Sequence, residues 1–483
     1  MKKHLFTLAL LSIAAPLFTT NKPSYSAKPT QPNVLMIIID DMNDWIDLLD
    51  ENGPIRTPQL GRLASRGTLF TNAYCSSPAC NPSRVSLLTG LRPGTSGVYG
   101  NKTNWRAALP SAVTIPQQFM QHGYHVAGAG KIFHHHLAGA FHDASAFHQF
   151  RAMPDPPDAP MPQQKLNQLA WYGSPNTDWG VYPADEQNHV DVRTVDYCIE
   201  RLNEDHGKPL FLAAGIFRPH MPFFAPASAF TKYPEDQVTL PLLKEDDLND
   251  IPTGGKKLLS AKKWFWDGMM KAEGRKPGSW EASVRAYQAC ATFADTQVGR
   301  LLDGLDQSGK AGNTIIVLCS DHGYHLGEKK HWEKFALWEK TTHIPMIVVA
   351  PNVTTPGSVC EHPVDLTAIY PTLNELCGFT TPYKLDGVSL VPLLKNVDAT
   401  WKHPAVMTYG RGNHAVRKGP WRYISYADGT EELYNHQTDK AEHNNLAPQK
   451  ENAAVIARLR KFLPKVEAKA ASDLKKPKSI STK

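Results

Sequence analysis

The chain has 483 residues, of which 41% are hydrophobic, enough to bury a large core across two to four domains. A formal net charge of +6 is mild at this length. It suits anionic substrates but is too small to argue for nucleic acid, and no RNA- or DNA-binding motif is present.

Lys2 and Lys3 precede an apolar run, Leu5 to Phe18, and then the small-residue stretch Ser24-Tyr25-Ser26-Ala27. The pattern predicts a signal peptide over 1–27 and an exported, periplasmic or secreted protein. A membrane anchor is the alternative, but the run is short and broken by Pro16. Seven cysteines are present: Cys75, Cys80, Cys198, Cys290, Cys319, Cys360 and Cys377. An odd count leaves one unpaired in an exported protein; if Cys80 is modified, up to three disulfides can form. Cys319, inside an apolar strand, reads as a free core thiol.

Asn33 to Ile39 is a continuous apolar run of strand length, as in a parallel strand covered on both faces. Asp40 and Asp41 follow at once. Adjacent carboxylates at the end of a buried strand repel each other unless a cation neutralises them. Ligand sites in open α/β sheets gather at such ends. Thr57-Pro58 opens a helix with a cap and a proline, and Thr68 to Ala73 reads as a strand. In the segment Cys75 to Gly90, Pro82 starts a helix over Ser83 to Leu88. Cys80 then stands just before a helix N-terminus, where free N–H groups favour anions. Arg84 can reach back with a planar, permanently charged fork. A buried structural cysteine is the other reading of Cys80.

Thr114 to His122 reads as a helix and Tyr124 to Ala127 as a strand, followed by Lys131 and the run His134-His135-His136. Consecutive residues of an extended chain point to opposite faces, so three adjacent histidines make an awkward metal site. Lys131 with His134, a cation beside an imidazole, is the better reading. Residues 150–190 form a proline-rich insertion over the mouth of the sheet. Val190 to Asn203 is a helix, and Pro209 to Ala214 a strand with Arg218 and His220 beyond its end. Lys256 to Lys271 is basic and aromatic; it could hold a sugar, but packing as an inserted helix is the better reading, and Ala282 to Leu305 is a long helix. Thr314 to Cys319 is a fourth apolar strand, ending in Asp321-His322-Gly323, with Lys334 further on. A strand over Met346 to Ala350 and a helix over Val364 to Leu376 follow. From about residue 398, short antiparallel strands are expected at 408–415, 421–426 and 432–434. The basic tail, 469–483, reads as disordered.

Four apolar strands thus each deliver polar groups just past their ends. That recurrence suits a divalent cation and a tetrahedral oxyanion.

The pattern Cys80-x-Pro82-Ser83-Arg84, continued by Leu88-Thr89-Gly90, resembles the signature of the type I sulfatases of the alkaline phosphatase superfamily. Gly130-Lys131-x-Phe133-His134, Arg218-Pro219-His220-x-Pro222 and Asp321-His322-Gly323 resemble its iduronate-2-sulfatase-like branch. The resemblance implies an α/β fold with a central, mostly parallel sheet flanked by helices over 28–397. A smaller C-terminal α+β subdomain on a short antiparallel sheet is implied over 398–468. It implies that a formylglycine-generating or radical maturation enzyme oxidises Cys80 to Cα-formylglycine (3-oxoalanine). It also implies one Ca2+ held by Asp40, Asp41, position 80, Asp321 and His322. Lys131 and Lys334 would then bind sulfate, Arg84 the aldehyde hydrate, His134 would act as base and His220 as acid. The implied substrate is a sulfated carbohydrate, with Trp105, Arg106, His414 and Arg417 as candidate sugar contacts. No nucleic acid and no membrane anchor are implied as partners. His322 departs from the asparagine of many sulfatases, and imidazole suits borderline metals, so Mn2+ is the alternative ion. Phosphonate monoester hydrolases share Cys-x-Pro-x-Arg and are the second functional reading. A non-catalytic sulfoglycan-binding protein, with Cys80 left as a thiol, is the third.

Overall fold

The apolar run after Pro32 forms β1 (Asn33–Asp40), and its side chains divide by parity. Leu35, Ile37 and Ile39 enter one core layer, and Val34, Met36 and Ile38 the other. Truncating fully buried Ile37 to alanine would cost about 2–5 kcal/mol. The computed structural model describes residues 1, 31–134, 141–154, 157, 160–465 and 467–474. The chain divides into two units, Met1–Gln31 and Pro32–Lys483. The expected signal peptide, His135, His136 and the end of the basic tail lie outside the described residues.

β2 (Thr68–Tyr74), β3 (His125–Gly130), β4 (Gln149–Ala152), β5 (Leu210–Pro219), β6 (Thr314–Ser320), β7 (His343–Val349) and β8 (Ser358–Cys360) complete the main sheet. Their order is β8-β2-β7-β6-β1-β5-β3-β4, and Val364–Asp365 also pairs with β2. Only β7 runs antiparallel to its neighbours.

The helices of the body are α1 (Pro58–Ala64), α2 (Cys80–Thr89), α3 (Ile115–Gln121), α4 (Val190–Asn203), α5 (Thr253–Ser260), α6 (Lys263–Arg275), α7 (Ser279–Gln307) and α8 (Ile369–Cys377). α1, α4, α6 and α7 pack on the layer containing Ile37, and α2, α3 and α8 on the layer containing Ile38. α2 starts at Cys80, three residues before the expected Ser83. Pro82 fits there because the first-turn N–H groups have no intrahelical partner. The expected inserted helix is two helices that break near Lys262, with Phe265 and Trp266 buried and Trp264 exposed. α8 begins five residues later than expected, because Val364 and Asp365 pair with β2.

β9 (Ala405–Thr408), β10 (His414–Lys418), β11 (Trp421–Ser425) and β12 (Glu431–Asn435) form a separate antiparallel sheet. The single strand expected over 408–415 is split by a turn in which Gly410 and Gly412 take positive φ. The sheet is fastened to the body where Thr408 N donates to Ser76 O (3.0 Å) and Trp338 Nε1 to Glu432 (2.8 Å). Residues 469–474, the described part of the tail, depart from the expectation of disorder. Ala468, Ala471 and Leu474 donate to the carbonyls of Gly94, Gly97 and Lys102, and Asn104 donates to Ser472 O. These backbone bonds do not depend on side-chain polarity, which is why composition misses them. All seven cysteines are free thiols, so the disulfides allowed by the count do not form. Cys198 and Cys290 lie in one core layer and Cys75, Cys319 and Cys360 in the other. No helix among the described residues is long and apolar enough to cross a membrane.

Candidate active site

At the end of β1 the register with β5 slips between Ile39 and Asp40. Asp41 takes φ 65°, a left-handed conformation that costs a non-glycine residue about 1–3 kcal/mol. Its surroundings hold it there. Asp41 N donates to Asp321 Oδ1 (3.1 Å), Met42 N to Ser320 Oγ (3.0 Å), and Tyr287 OH to Asp41 O (2.8 Å). The two strand ends β1 and β6 are therefore tied together through their acidic residues.

α2 enters from the side. Ser83 Oγ donates to Asp321 O (2.6 Å), and Asn81 anchors to the Gly100 and Thr103 carbonyls (3.0 Å each). Arg84 is fully buried: Nε donates to Asp321 Oδ2 (2.8 Å), and a terminal nitrogen lies 3.3 Å from Asp40 Oδ1. It also donates to the Lys131 and Ile132 carbonyls. At the end of β3, Gly130 has φ 77° and lies so close to Gly215 that a Cβ would stand 2.1 Å from its carbonyl oxygen. That close approach lets Lys131 turn inward and pair with Asp40.

The Cys80 sulfur lies at the centre. It is 3.2 Å from His322 Nε2, 3.7 Å from Lys131 Nζ and 3.9 Å from Asp40 Oδ1, and it is hydrogen-bonded by His134. Lys334 Nζ donates to both oxygens of Asp41 (2.8 and 2.9 Å). His322 Nδ1 is 3.2 Å from Asp41 Oδ1, and His220 Nε2 is 3.9 Å from Asp41 Oδ2. Asp40, Asp41, Lys131, His134, His220, Asp321, His322 and Lys334 thus all surround Cys80 and Arg84.

Three carboxylates here face three permanent cations, with little water to screen them. Burial pushes the Asp40 carboxyl up, but Lys131, His220 and Arg84 together hold it well below the usual range. Burial raises Asp321, and repulsion from Asp40 adds to this against the pull of Arg84. Burial disfavours a charged His322, yet Asp321, Cys80 and Asp41 lift it to about 9. Burial raises the Cys80 thiol, but Lys131, Lys334 and His322 bring it well below its ordinary value. Cys75, five residues away, is pushed well up by burial and then by Asp321. Position 80 is built for an anion and position 75 is not.

Ligand atoms of Asp40, Asp41, Cys80 and His322 all lie within 4.8 Å of one another, so this donor set fits a metal ion. Asp321 adjoins the set, with its oxygens accepting from Arg84 and Asp41 N. A second acidic set, Glu339, His436 and Glu442, carries its own buried cation, Arg422, 2.7 Å from Glu442 and paired with Glu339.

The candidate sugar contacts do not gather at the site. Trp105 is fully buried and stacked on Phe133 at 5.4 Å. Arg106 pairs with Asp143. His414 is buried between Thr408 (3.0 Å) and Glu467 (3.2 Å). Arg417 lines a separate cavity of about 1420 Å³ bordered by none of the residues around Cys80. Arg218 is in β5 itself, not beyond its end, and donates to the Phe224 and His220 carbonyls, so it shapes the loop presenting His220. Sequence reasoning passed over Tyr287 and Ser320, which hold the Asp41 turn. It also passed over Asp191, which accepts from Phe217 N and Arg218 N. Nothing local marks them, since each acts on a segment distant in sequence.

A mostly parallel sheet with buried carboxylates and cations at its strand ends, and a potential nucleophile at the start of α2, is an α/β arrangement suited to ester hydrolysis. The family model described as Sulfatase matches residues 32–379, and that described as N-sulphoglucosamine sulphohydrolase, C-terminal, matches residues 327–469. A sulfatase of Formosa agariphila is 36% identical over 470 residues, covering 93% of this chain and 90% of the relative. The iduronate 2-sulfatase of Homo sapiens is 30% identical over 396 residues, covering 72% and 70%. Among solved structures, a complex with the substrate D-glucosamine-2-N,6-O-disulfate superposes with a TM-score of 0.70 at 21% identity, covering 90% and 97%. A phosphonate monoester hydrolase of Silicibacter pomeroyi gives 0.73 at 22%, covering 89% and 94%, so the fold spans both chemistries. The chain belongs to the sulfatase family and is a sulfuric ester hydrolase.

Proposed function

We propose that the protein is exported and hydrolyses sulfate esters of a sulfated carbohydrate, using a formylglycine made from Cys80 and a bound Ca2+. The observation that carries this reading is the environment of position 80, where Lys131, Lys334 and His322 favour an anion at a buried side chain. Relatives named iduronate 2-sulfatase and ulvan-active sulfatase support the carbohydrate class. Asp40, Asp41, Asp321, His322 and the side chain at position 80 would hold the cation. When bound, the ion supplies positive charge to a sulfate oxygen and to the nucleophilic oxygen, which the hydrated aldehyde provides.

The remaining work falls to the chain's own residues. Lys131 and Lys334, both buried, neutralise non-bridging sulfate oxygens. Arg84 fixes α2, and hence position 80, against β1 and β6. His220 uses Nδ1 on the Met221 carbonyl (2.6 Å), which leaves Nε2 to carry a proton to the departing sugar oxygen. His134, bonded to the Cys80 side chain, is placed to take a proton from position 80.

The mass of the peptide containing residue 80 tests the nucleophile: conversion removes about 18 Da. An intact thiol in active enzyme would end the formylglycine reading. Sulfate release from a panel of defined sulfated oligosaccharides tests the substrate class. Aryl sulfate and aryl phosphonate, each assayed with Ca2+ and Mn2+, test the reaction; faster phosphonate turnover would reverse the assignment to the phosphonate hydrolases.

A further inference from the structure

Beside the sulfate-binding groups stands a cation the mechanism does not use. Lys262, at the break between α5 and α6, places Nζ 4.2 Å from the centroid of the Phe335 ring. Lys334 Nζ lies 6.0 Å from the same centroid. The two ammonium groups are therefore no more than about 10 Å apart, with one aromatic ring beside both. Lys334 is paired with Asp41, whereas Lys262 makes no ion pair among the described residues.

The ring is held in place. Glu333 has φ 83° and Phe335 φ 78°, so the backbone on both sides of Lys334 is left-handed at non-glycine residues. Such strain persists only where the surroundings over-determine it, and it gathers at ligand clamps. Here Phe335 N donates to Pro78 O (3.0 Å), and the Tyr409 ring packs on Phe335 at 5.9 Å and 40°. Lys334, Lys262 and His220 each lie within electrostatic reach of the buried Glu333 carboxyl. Three parts of the chain meet here: the inserted helix pair, the segment carrying Lys334, and the turn after β9 that carries Tyr409.

Resting on the sulfated-carbohydrate reading, we propose that Lys262, Phe335 and Tyr409 form a subsite for an anionic sugar ring. It takes a second acidic group, carboxylate or sulfate, on the sugar bearing the ester or on its neighbour. The aromatic pair offers an apolar face to the ring, and Lys262 offers an unpaired charge to the acid. The insertion and the C-terminal sheet thus decide which sulfated sugar is accepted, apart from the groups that cut it.

The test compares kcat/KM of the matured full chain on matched disaccharide sulfates: one with no further acid, one with a uronate, one with a second sulfate. Wild type is expected to prefer one of the doubly acidic sugars, and which one tells carboxylate from sulfate. Lys262→Ala is expected to cut that preference by about tenfold or more, chiefly through KM, and Lys262→Arg to retain it. Lys263→Ala, which removes the adjacent, exposed lysine at the start of α6, controls for general charge and folding and is expected to leave the preference intact. An unchanged preference in Lys262→Ala overturns the subsite alone. If wild type cleaves aryl sulfate but none of the sugars, the carbohydrate reading falls and the subsite with it.

Discussion

On the proposed mechanism, replacing His220 removes proton delivery while leaving the sulfate-binding lysines in place. Nδ1 of this ring faces the Met221 carbonyl at 2.6 Å and must donate to it, so Nε2 is the one position left to exchange a proton. That nitrogen stands 3.9 Å from Asp41 Oδ2, and the side chain is 25% exposed, open toward arriving substrate. His220→Gln keeps a polar side chain of similar reach but cannot transfer a proton. Losing one general acid costs about 10²–10⁴-fold, or about 3–5 kcal/mol of barrier. The full loss is expected for a sugar sulfate, whose alkoxide leaves poorly. For 4-nitrophenyl sulfate, whose phenolate leaves without a proton, the loss should be under about tenfold. Initial rates on both substrates at saturating Ca2+ give the comparison. Equal losses on the two would refute the assignment and make His220 a structural or binding residue.

Arg84→Ala would leave the buried Asp321 and Asp40 carboxylates without their shared cation, at a cost of about 3–5 kcal/mol. Denaturant titration should show a clear fall in stability, smaller for Arg84→Lys; a wild-type midpoint in Arg84→Ala would contradict the pairing. Asp295 accepts from Leu60 N (2.7 Å) and Gln59 N (3.1 Å), and burial lifts its carboxyl to about 7. A carboxyl raised in the folded state holds a proton that the unfolded chain has released, so its contribution falls as pH rises from about 4 to 7. Relative to Asp295→Asn, wild type should lose stability across that window, and a gain in thermal melts would reverse the sign. Chelation should abolish sulfate release and lower the melting temperature, and Ca2+ at 100 times its dissociation constant should restore about 2.7 kcal/mol. An unaltered melting curve would mean that no structural cation is bound.

Much of the site was open to inspection along the chain because its parts sit at strand ends. Apolar runs such as Asn33–Ile39 and Thr314–Cys319 are recognisable locally, and the polar residues following them are carried to one rim by parallel pairing. What was missed acts across distance. Thr57 was expected to cap α1, but its hydroxyl bonds Asp47 (2.7 Å), and the helix N-terminus is served by Asp295 of α7. The tail was expected to be loose because its side chains are polar, whereas the backbone of residues 468–474 pairs with residues 94–104.

Local order thus follows from the covalent sequence: which runs become buried strands, where Pro82 permits a helix to start, and which charged groups terminate each strand. Tertiary structure alone decided the partners. It set Lys131 on Asp40, Lys334 on Asp41 and Arg84 between Asp40 and Asp321. It also brought Lys262 and Tyr409 to the same ring. The reason is that charge neutralisation and close packing act through space at a few ångströms, while chain spacing constrains only neighbours.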